Sequence, residues 1–189
     1  MLTRALSVSI AWRAPWRAGA LAIGLALAAA APLAMSRSAR PQTIDAVPVT
    51  ALLGAIGAWT AEAAGLPLPD ALPVVVWASR TEMATLHYGK DADAAGGSVR
   101  IEALYDGDTR RILLLEDWTG ATPEELSVLV HEMVHHLQAA AGTTYACPAE
   151  REVLAYDVQE RWLQTFGTDL EAAFDITPLT RFVFTRCGI

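Results

Sequence analysis

Acidic residues are absent from the start of this sequence, and basic residues are scarce in the rest of it. The first acidic residue is Asp45, and five of the fourteen lysines and arginines lie before residue 42. From Gln42 onward the net charge is therefore 9 − 21 = −12. A body this acidic repels phosphate backbones and anionic lipid surfaces. We expect no nucleic-acid partner, and contact with a membrane only through the N-terminal segment.

Several widespread catalytic and binding motifs are also missing. The sequence contains no phosphate loop, no dinucleotide fingerprint and no nucleophilic serine motif. Residues 91–102 only partly match a calcium-binding loop, since Ala95 replaces a ligand and Glu102 falls in an alternating strand pattern. We therefore interpret this stretch as a loop without a metal.

Long apolar runs are confined to the N-terminus. Three arginines precede the uncharged residues 18–36, which are rich in alanine and leucine and are followed by Arg37. This order is typical of an export signal, although nineteen uncharged residues could also span a membrane. We predict that residues 1–36 are either a cleaved signal peptide or an N-terminal membrane anchor. The acidic body would then be periplasmic or secreted, or anchored to the inner membrane by residues 18–36.

Cysteine is rare, with only Cys147 and Cys187 in the chain. Export to an oxidising compartment favours a disulfide between them over two unrelated thiols. Such a bond would join the C-terminal tail to the segment just before Pro148.

Residues 37–45 are predicted to be a linker, and residues 46–189 a single α+β domain. Hydrophobic periodicity, capping residues and turn signals predict a small sheet and several helices. The predicted elements are a helix over 50–64, a strand over 73–78, a helix from Ser79 to Tyr88, a hairpin of 99–105 and 111–115, and helices over 122–142 and 148–167. Residues 168–189 show no clear pattern.

The segment His131-Glu132-Met133-Val134-His135 carries the strongest chemical signal. Two histidines four residues apart on a helix lie on one face and can bind one zinc ion. Glu132 lies between them, where it can accept a proton from a water molecule that the metal activates. Leu126, Leu129, Val130, Met133 and Leu137 share a different face, so the core and the histidines occupy separate sides of the helix.

A catalytic zinc site takes a third protein ligand, and Glu150 and Glu152 are the candidates. On a helical wheel Glu152 lies in the apolar arc of its helix, whereas Glu150 shares the outer face with Asp157 and Arg161. A buried carboxylate needs a partner, and a metal ion can be that partner. We predict Glu152 as the third ligand. Glu150 stays the alternative if the helix begins after it.

Together, His-Glu-x-x-His and Glu152 seventeen residues after His135 resemble the gluzincin metallopeptidases over residues 110–166. The arrangement is also similar to small exported bacterial zincin-like proteins. The resemblance implies a zincin-like fold, in which a small, mainly antiparallel sheet packs on the metal-binding helix and the following glutamate helix. It also implies that Arg111–Leu115 is an edge strand to which a peptide could add.

One position departs from the gluzincin pattern. Many gluzincins have Glu-x-x-Ala-Asp where this chain has Tyr156, so the aspartate that orients a histidine ligand is missing there. The resemblance also calls for a further donor to the transition state, for which Tyr156 and Tyr145 are candidates unless they serve only in packing. His87 is expected to be structural, and His136 to lie at the surface or to support the metal site.

The sequence thus predicts an exported zinc-dependent metallohydrolase, with His131, His135 and Glu152 as ligands and Glu132 as general base. A peptidase acting on an unidentified peptide or protein is the leading hypothesis. A non-peptidase zinc amidase of the cell envelope and an inactive zincin-fold binding protein are the alternatives.

Overall fold

The computed structural model describes residues 6–10, 49–89 and 101–188, and these form one small sheet and six helices, an α+β fold as predicted. In chain order the elements are β1 (Leu6–Ile10), α1 (Val49–Ala64), β2 (Val74–Ala78), α2 (Arg80–Tyr88), β3 (Ile101–Asp106), β4 (Arg111–Leu115), α3 (Pro123–Ala140), α4 (Pro148–Thr165), α5 (Leu170–Phe174) and α6 (Pro178–Phe184).

The sheet has the strand order β1-β3-β4-β2. The pairs β1–β3 and β3–β4 are antiparallel, whereas β2 and β4 run parallel in a register that aligns Val74 with Arg111 and Ala78 with Leu115. The expectation that Arg111–Leu115 is an edge strand is therefore wrong. The valine-rich β2 runs along the side of β4 opposite β3, so both sides of β4 already have hydrogen-bond partners. A peptide cannot add to β4.

The N-terminal segment is described only over β1, which lies within the predicted signal peptide or anchor. Residues 11–36, which include the uncharged run, and the linker over 37–45 lie outside the described residues. Among the helices that the structure describes, none has both the length and the apolar character needed to cross a membrane.

Helix α3 is the central element of the domain. Thr122 caps it by accepting a hydrogen bond from the Glu125 N–H, and Pro123 occupies its first turn, as the sequence predicted. All twelve residues of the stretch 127–138 are buried, because α3 packs against the sheet and α1 and is also covered by α4. The predicted core face and histidine face are thus both enclosed.

The C-terminal residues that showed no clear sequence pattern form α5 and α6. Each is a short helix whose first turn is capped by a side chain, Asp169 in α5 and Thr177 in α6. Helices of five and seven residues are too short for a periodic signal, so only these caps, and Pro178 at the start of α6, could have indicated them.

Cys147 and Cys187 form a disulfide, as predicted. Cys147 is the N-cap residue of α4, and Cys187 follows α6, so the bond fixes the tail to the start of the helix that carries Glu152.

Replacing both cysteines by serine should lower the free energy of unfolding by about 2 to 4 kcal/mol, since the bond closes a long loop of the unfolded chain. The sequence separation across the bond is 40 residues. Chemical denaturation of the variant beside the oxidised protein measures the loss. An unchanged transition midpoint would contradict it.

Candidate metal centre

Two adjacent helices bring three potential metal ligands together. His131 and His135 lie one turn apart on α3, and Glu152 extends from the first turns of α4 toward both. Its Oε2 atom is 3.1 Å from His131 Nε2 and 3.2 Å from His135 Nε2. Within the described part of the chain, these three residues are the group whose ligand atoms could share one ion.

The hydrogen bonds around Gln159 determine which nitrogen of His131 carries a proton. Ser127 donates its hydroxyl hydrogen to the Glu124 carbonyl (2.7 Å), so its oxygen must accept from Gln159 Nε2 (3.1 Å). The Oε1 of Gln159 therefore faces His131 Nδ1 (2.9 Å) and accepts a hydrogen bond from its N–H group. In the neutral imidazole, Nε2 of His131 then bears a lone pair.

Gln138 orients His135 in the same way. Its Nε2 donates to the backbone carbonyl of Arg151 (2.9 Å), which can only accept, so its Oε1 accepts from His135 Nδ1 (3.0 Å). His135 Nε2 is buried and has no hydrogen-bond partner among the residues described. It too presents a lone pair toward Glu152.

When both imidazoles are neutral, three acceptor atoms therefore converge on one point with no donor between them. Ligand atoms about 2.05 Å from a tetrahedral ion are separated from one another by about 3.3 Å, close to the distances seen here. Three lone pairs this close repel one another unless a cation lies between them. The geometry and the donor set fit a bound metal ion.

Electrostatics lead to the same conclusion. Burial opposes a charge on Glu152, but His135 and His131 outweigh burial and hold the pKa of this carboxyl well below its usual range. Burial also opposes a charge on His131, yet its hydrogen bond with Glu152 and the charges of Glu132 and Glu152 raise the pKa of His131. The site therefore attracts a positive charge, whether a proton or a metal ion.

The motif glutamate, Glu132, is fully buried. Its charge raises the pKa of both His131 and Tyr156, so the carboxylate lies close to the metal-binding nitrogens. Glu132 does not belong to the group of three ligand atoms. Its charge thus acts on the candidate site from outside the group of three ligands.

Glu150 lies away from the histidines. It is exposed, and its Oε2 accepts a hydrogen bond from the Ala146 N–H (2.7 Å). The helix begins at Pro148, before both glutamates, so Glu150 and Glu152 project from different faces of α4.

The two candidate tyrosines occupy different positions. The ring of Tyr156 packs edge-on against His131, with ring centroids 4.8 Å apart, and it is almost completely buried. Burial, helped by the charges of Glu152 and Glu132, raises the pKa of Tyr156 far above its usual value, so its hydroxyl stays protonated. Tyr145 is half-buried and lines a cavity beside His135.

His136 departs from expectation, because it is buried on the side of α3 that faces the sheet. Its Nε2 donates to the Ala71 carbonyl (3.0 Å), and its Nδ1 accepts from the Tyr105 hydroxyl (3.2 Å). His136 is therefore not at the surface, and both of its ring nitrogens bond to groups other than the three candidate ligands. It connects α3 to β3 and to the loop before β2.

Sequence reasoning missed four residues near the site. Gln138 and Gln159 accept hydrogen bonds from the two candidate ligand histidines, where a carboxylate is usual. Gln159 lies one turn after Tyr156 and binds His131 in place of the aspartate that is missing at position 156. Arg151 donates from Nε to Glu152 Oε1 (3.3 Å). A search of α4 for any hydrogen-bond acceptor, instead of a carboxylate alone, would have found Gln159.

The fourth residue is His87, which was expected to be structural. It lies at the end of α2, and its Nδ1 is buried with no hydrogen-bond partner in the described ranges. Burial and the charge of Arg151 lower its pKa, while Glu152 raises it, so the ring lies near both. No sequence signal indicated this, because α2 is distant from the motif in the chain.

Gln159→Leu should lower zinc affinity by roughly 10- to 100-fold, the usual effect of removing a group that orients a ligand histidine. The variant leaves the Nδ1–H of His131 without its acceptor and frees the ring to rotate. Chelator competition measures the affinity, and circular dichroism checks folding. Gln164→Leu, an exposed glutamine on the same helix, is the matched control. Equal affinities for both variants would contradict an orienting role.

Comparison with known proteins gives a family. No curated protein and no solved structure matches the chain. Residues 45–183, well over half of the sequence and all of the candidate metal centre, match a family described as a domain of unknown function, DUF6647. The chain belongs to this family.

Proposed function

We propose that the protein is a zinc-dependent metallohydrolase that cleaves peptide bonds. The observation that carries this proposal is the convergence of His131 Nε2, His135 Nε2 and Glu152 Oε2, with both Nδ1 atoms already donating to glutamine oxygens. Among the described residues three ligands converge, and three protein ligands are typical of a catalytic zinc site, whereas structural zinc sites use four.

The ligand chemistry favours zinc over other common ions. Two imidazole nitrogens and one carboxylate oxygen suit zinc, whereas calcium and magnesium prefer sites built only from oxygen. The carboxylates of Glu132, which is fully buried, and of Glu152, which is 13% exposed, supply two negative charges against the charge of a divalent ion. Arg151 offsets part of this charge from the other side of Glu152.

In this proposal each residue of the site has a separate role in hydrolysis. A zinc ion held by the three ligands would lower the pKa of a water molecule and polarise the carbonyl to be cleaved. Glu132 accepts a proton from that water and later delivers it to the leaving amine. Gln159 and Gln138 hold the ligand rings in the correct tautomer. The Tyr156 hydroxyl stays protonated and can donate a hydrogen bond.

The choice of peptides over other amides rests on the resemblance of the motif and Glu152 to gluzincins. The contacts of α3, with the sheet on one side and α4 on the other, support a zincin-like arrangement. A cavity of about 160 Å³ beside His135 has the size for one amino-acid side chain.

A second candidate is a binding protein in which zinc only stabilises the fold. The observation that favours it is burial, since His131 and Glu132 are fully buried and His135 is nearly so. The Glu152 side chain, 13% exposed, is the most accessible of the three proposed ligands. A metal that joins α3 to α4 could serve stability alone.

Metal analysis and turnover together test the proposal. Protein purified without chelator should contain about one zinc per chain, and a broad peptide library should be cleaved only in the absence of chelator. A content below about 0.2 zinc per chain that added zinc does not restore would refute the metal assignment. Full zinc content without cleavage of any peptide would favour the binding protein.

A further inference from the structure

The cavity beside the candidate metal centre is lined by Arg151, to which the proposed function gives no role toward the substrate. It measures about 160 Å³ and opens between the C-terminal half of α3, the loop after α3 and the first turn of α4. His135 lines it, so an occupant would lie next to the metal. Its walls also include Tyr105, Tyr145 and Arg151.

Arg151 is the only residue of the cavity lining that carries a formal charge at neutral pH when His135 is neutral. Burial raises the pKa of both tyrosines, which therefore stay neutral. The Arg151 side chain is 14% exposed, so its charge acts in a largely desolvated setting. Such a charge interacts more strongly with a bound anion than a surface arginine would.

We infer, on the basis of the proposed function, that this cavity is a substrate subsite for a carboxylate group. Arg151 determines the preference for substrates that carry this group. The carboxylate belongs either to an acidic side chain next to the cleaved bond or to the C-terminus of the peptide. Both present the same planar anion, which a guanidinium group recognises.

The contact between Arg151 and Glu152 connects this preference to the metal. Arg151 Nε points to Glu152 Oε1, while the opposite oxygen, Oε2, faces the two histidines. A metal ion held by the three proposed ligands would withdraw charge from the Glu152 carboxylate, which would leave the charge of Arg151 less neutralised. The cavity would therefore attract an anion more strongly when the metal site is filled.

The walls of the cavity are built to hold a small group in place. The Tyr105 hydroxyl donates to His136, which fixes one wall to α3. Gln138 is held between His135 and the Arg151 backbone, which fixes another. The volume is below the 300 Å³ or more typical of drug-sized ligands, so one side chain or one chain terminus fits.

The test compares peptides that differ only in one carboxylate. Pairs with glutamate or glutamine at each position near the cleaved bond are offered, each with a free or an amidated C-terminus. We expect kcat/KM to favour a carboxylate by roughly 10- to 100-fold, the range for a hydrogen bond to a charged group. A preference for glutamate identifies a side-chain subsite, and a preference for the free terminus identifies a carboxypeptidase.

Arg151→Gln should abolish this preference, mainly through KM, and Arg151→Lys should retain part of it. Arg161→Gln removes the same charge from an exposed position on the same helix and should change nothing. Zinc content is measured in each variant, because Arg151 contacts a proposed ligand. A preference that survives in a zinc-loaded Arg151→Gln variant would overturn the inference.

A binding measurement separates this inference from the proposed hydrolysis. Zinc-loaded protein is titrated by calorimetry with three compounds: N-acetylglutamine amide, which has no carboxylate, N-acetylglutamine, which has only the α-carboxylate, and N-acetylglutamate α-amide, which has only the side-chain carboxylate. Selective binding of either acid that Arg151→Gln removes supports the subsite even if no peptide is cleaved. Equal binding of all three compounds, or equal cleavage of the acid and amide peptides, overturns the subsite and leaves the hydrolase proposal standing.

Discussion

Replacing Glu152 by glutamine should largely empty the metal site while leaving the fold intact. The change removes the one charged ligand and leaves two neutral imidazoles, which hold a zinc ion weakly. The loss of affinity should exceed the roughly 10- to 100-fold that follows removal of an orienting group such as Gln159. Chelator competition on purified variants measures the zinc affinity, and elemental analysis measures the zinc content independently.

Glu150→Gln is the matched control for this prediction. It makes the same chemical change two residues away on the same helix, at an exposed position where the side chain accepts a bond from Ala146. Its zinc affinity should equal that of the unmodified protein. If Glu150→Gln empties the site while Glu152→Gln leaves it full, the proposed ligand set is wrong. The proposal that the protein binds a metal ion would still hold.

Local signals predicted most of the individual elements well. The Ser79 capping box, the hairpin turn after Asp106 and the proline at the start of α3 each depend on neighbouring residues, so the sequence alone indicates them. Their bounds differ from the predicted ones by about two residues at most. The relative faces of Glu150 and Glu152 also follow from helical spacing alone.

Contacts between distant segments could not be predicted in this way. The parallel pairing of β2 with β4 depends on how the chain returns after α2, which periodicity does not describe. The same holds for His87, which approaches Glu152 from α2. Gln159 was missed for another reason, since a neutral amide in a buried helix face is not a recognised sign of a metal site.

Glu132→Gln should keep the zinc ion and lower the turnover number by a factor of roughly 10² to 10⁴, the usual contribution of a positioned general base. Glutamine preserves the shape of the side chain but cannot accept a proton at neutral pH. The three ligand atoms do not include Glu132, so the affinity for zinc should change little. Single-turnover kinetics on a cleaved peptide and elemental analysis of the same preparation measure the two effects.

The free energy of unfolding of Glu132→Gln is a second measurement that distinguishes the hydrolase from the binding protein. Glu132 is a fully buried carboxylate, and retaining such a charge is costly for the fold. A catalytic role therefore predicts a variant that is as stable as the unmodified protein or more so, although its turnover number falls by roughly 10² to 10⁴. Glu124→Gln, on the first turn of the same helix, should leave the turnover number unchanged and lower the free energy of unfolding by at most about 1 kcal/mol, through loss of a charge at the helix N-terminus. A Glu132→Gln protein that cleaves peptides at the original rate would exclude Glu132 as the base, because no glutamine can carry the proton from water to the leaving amine.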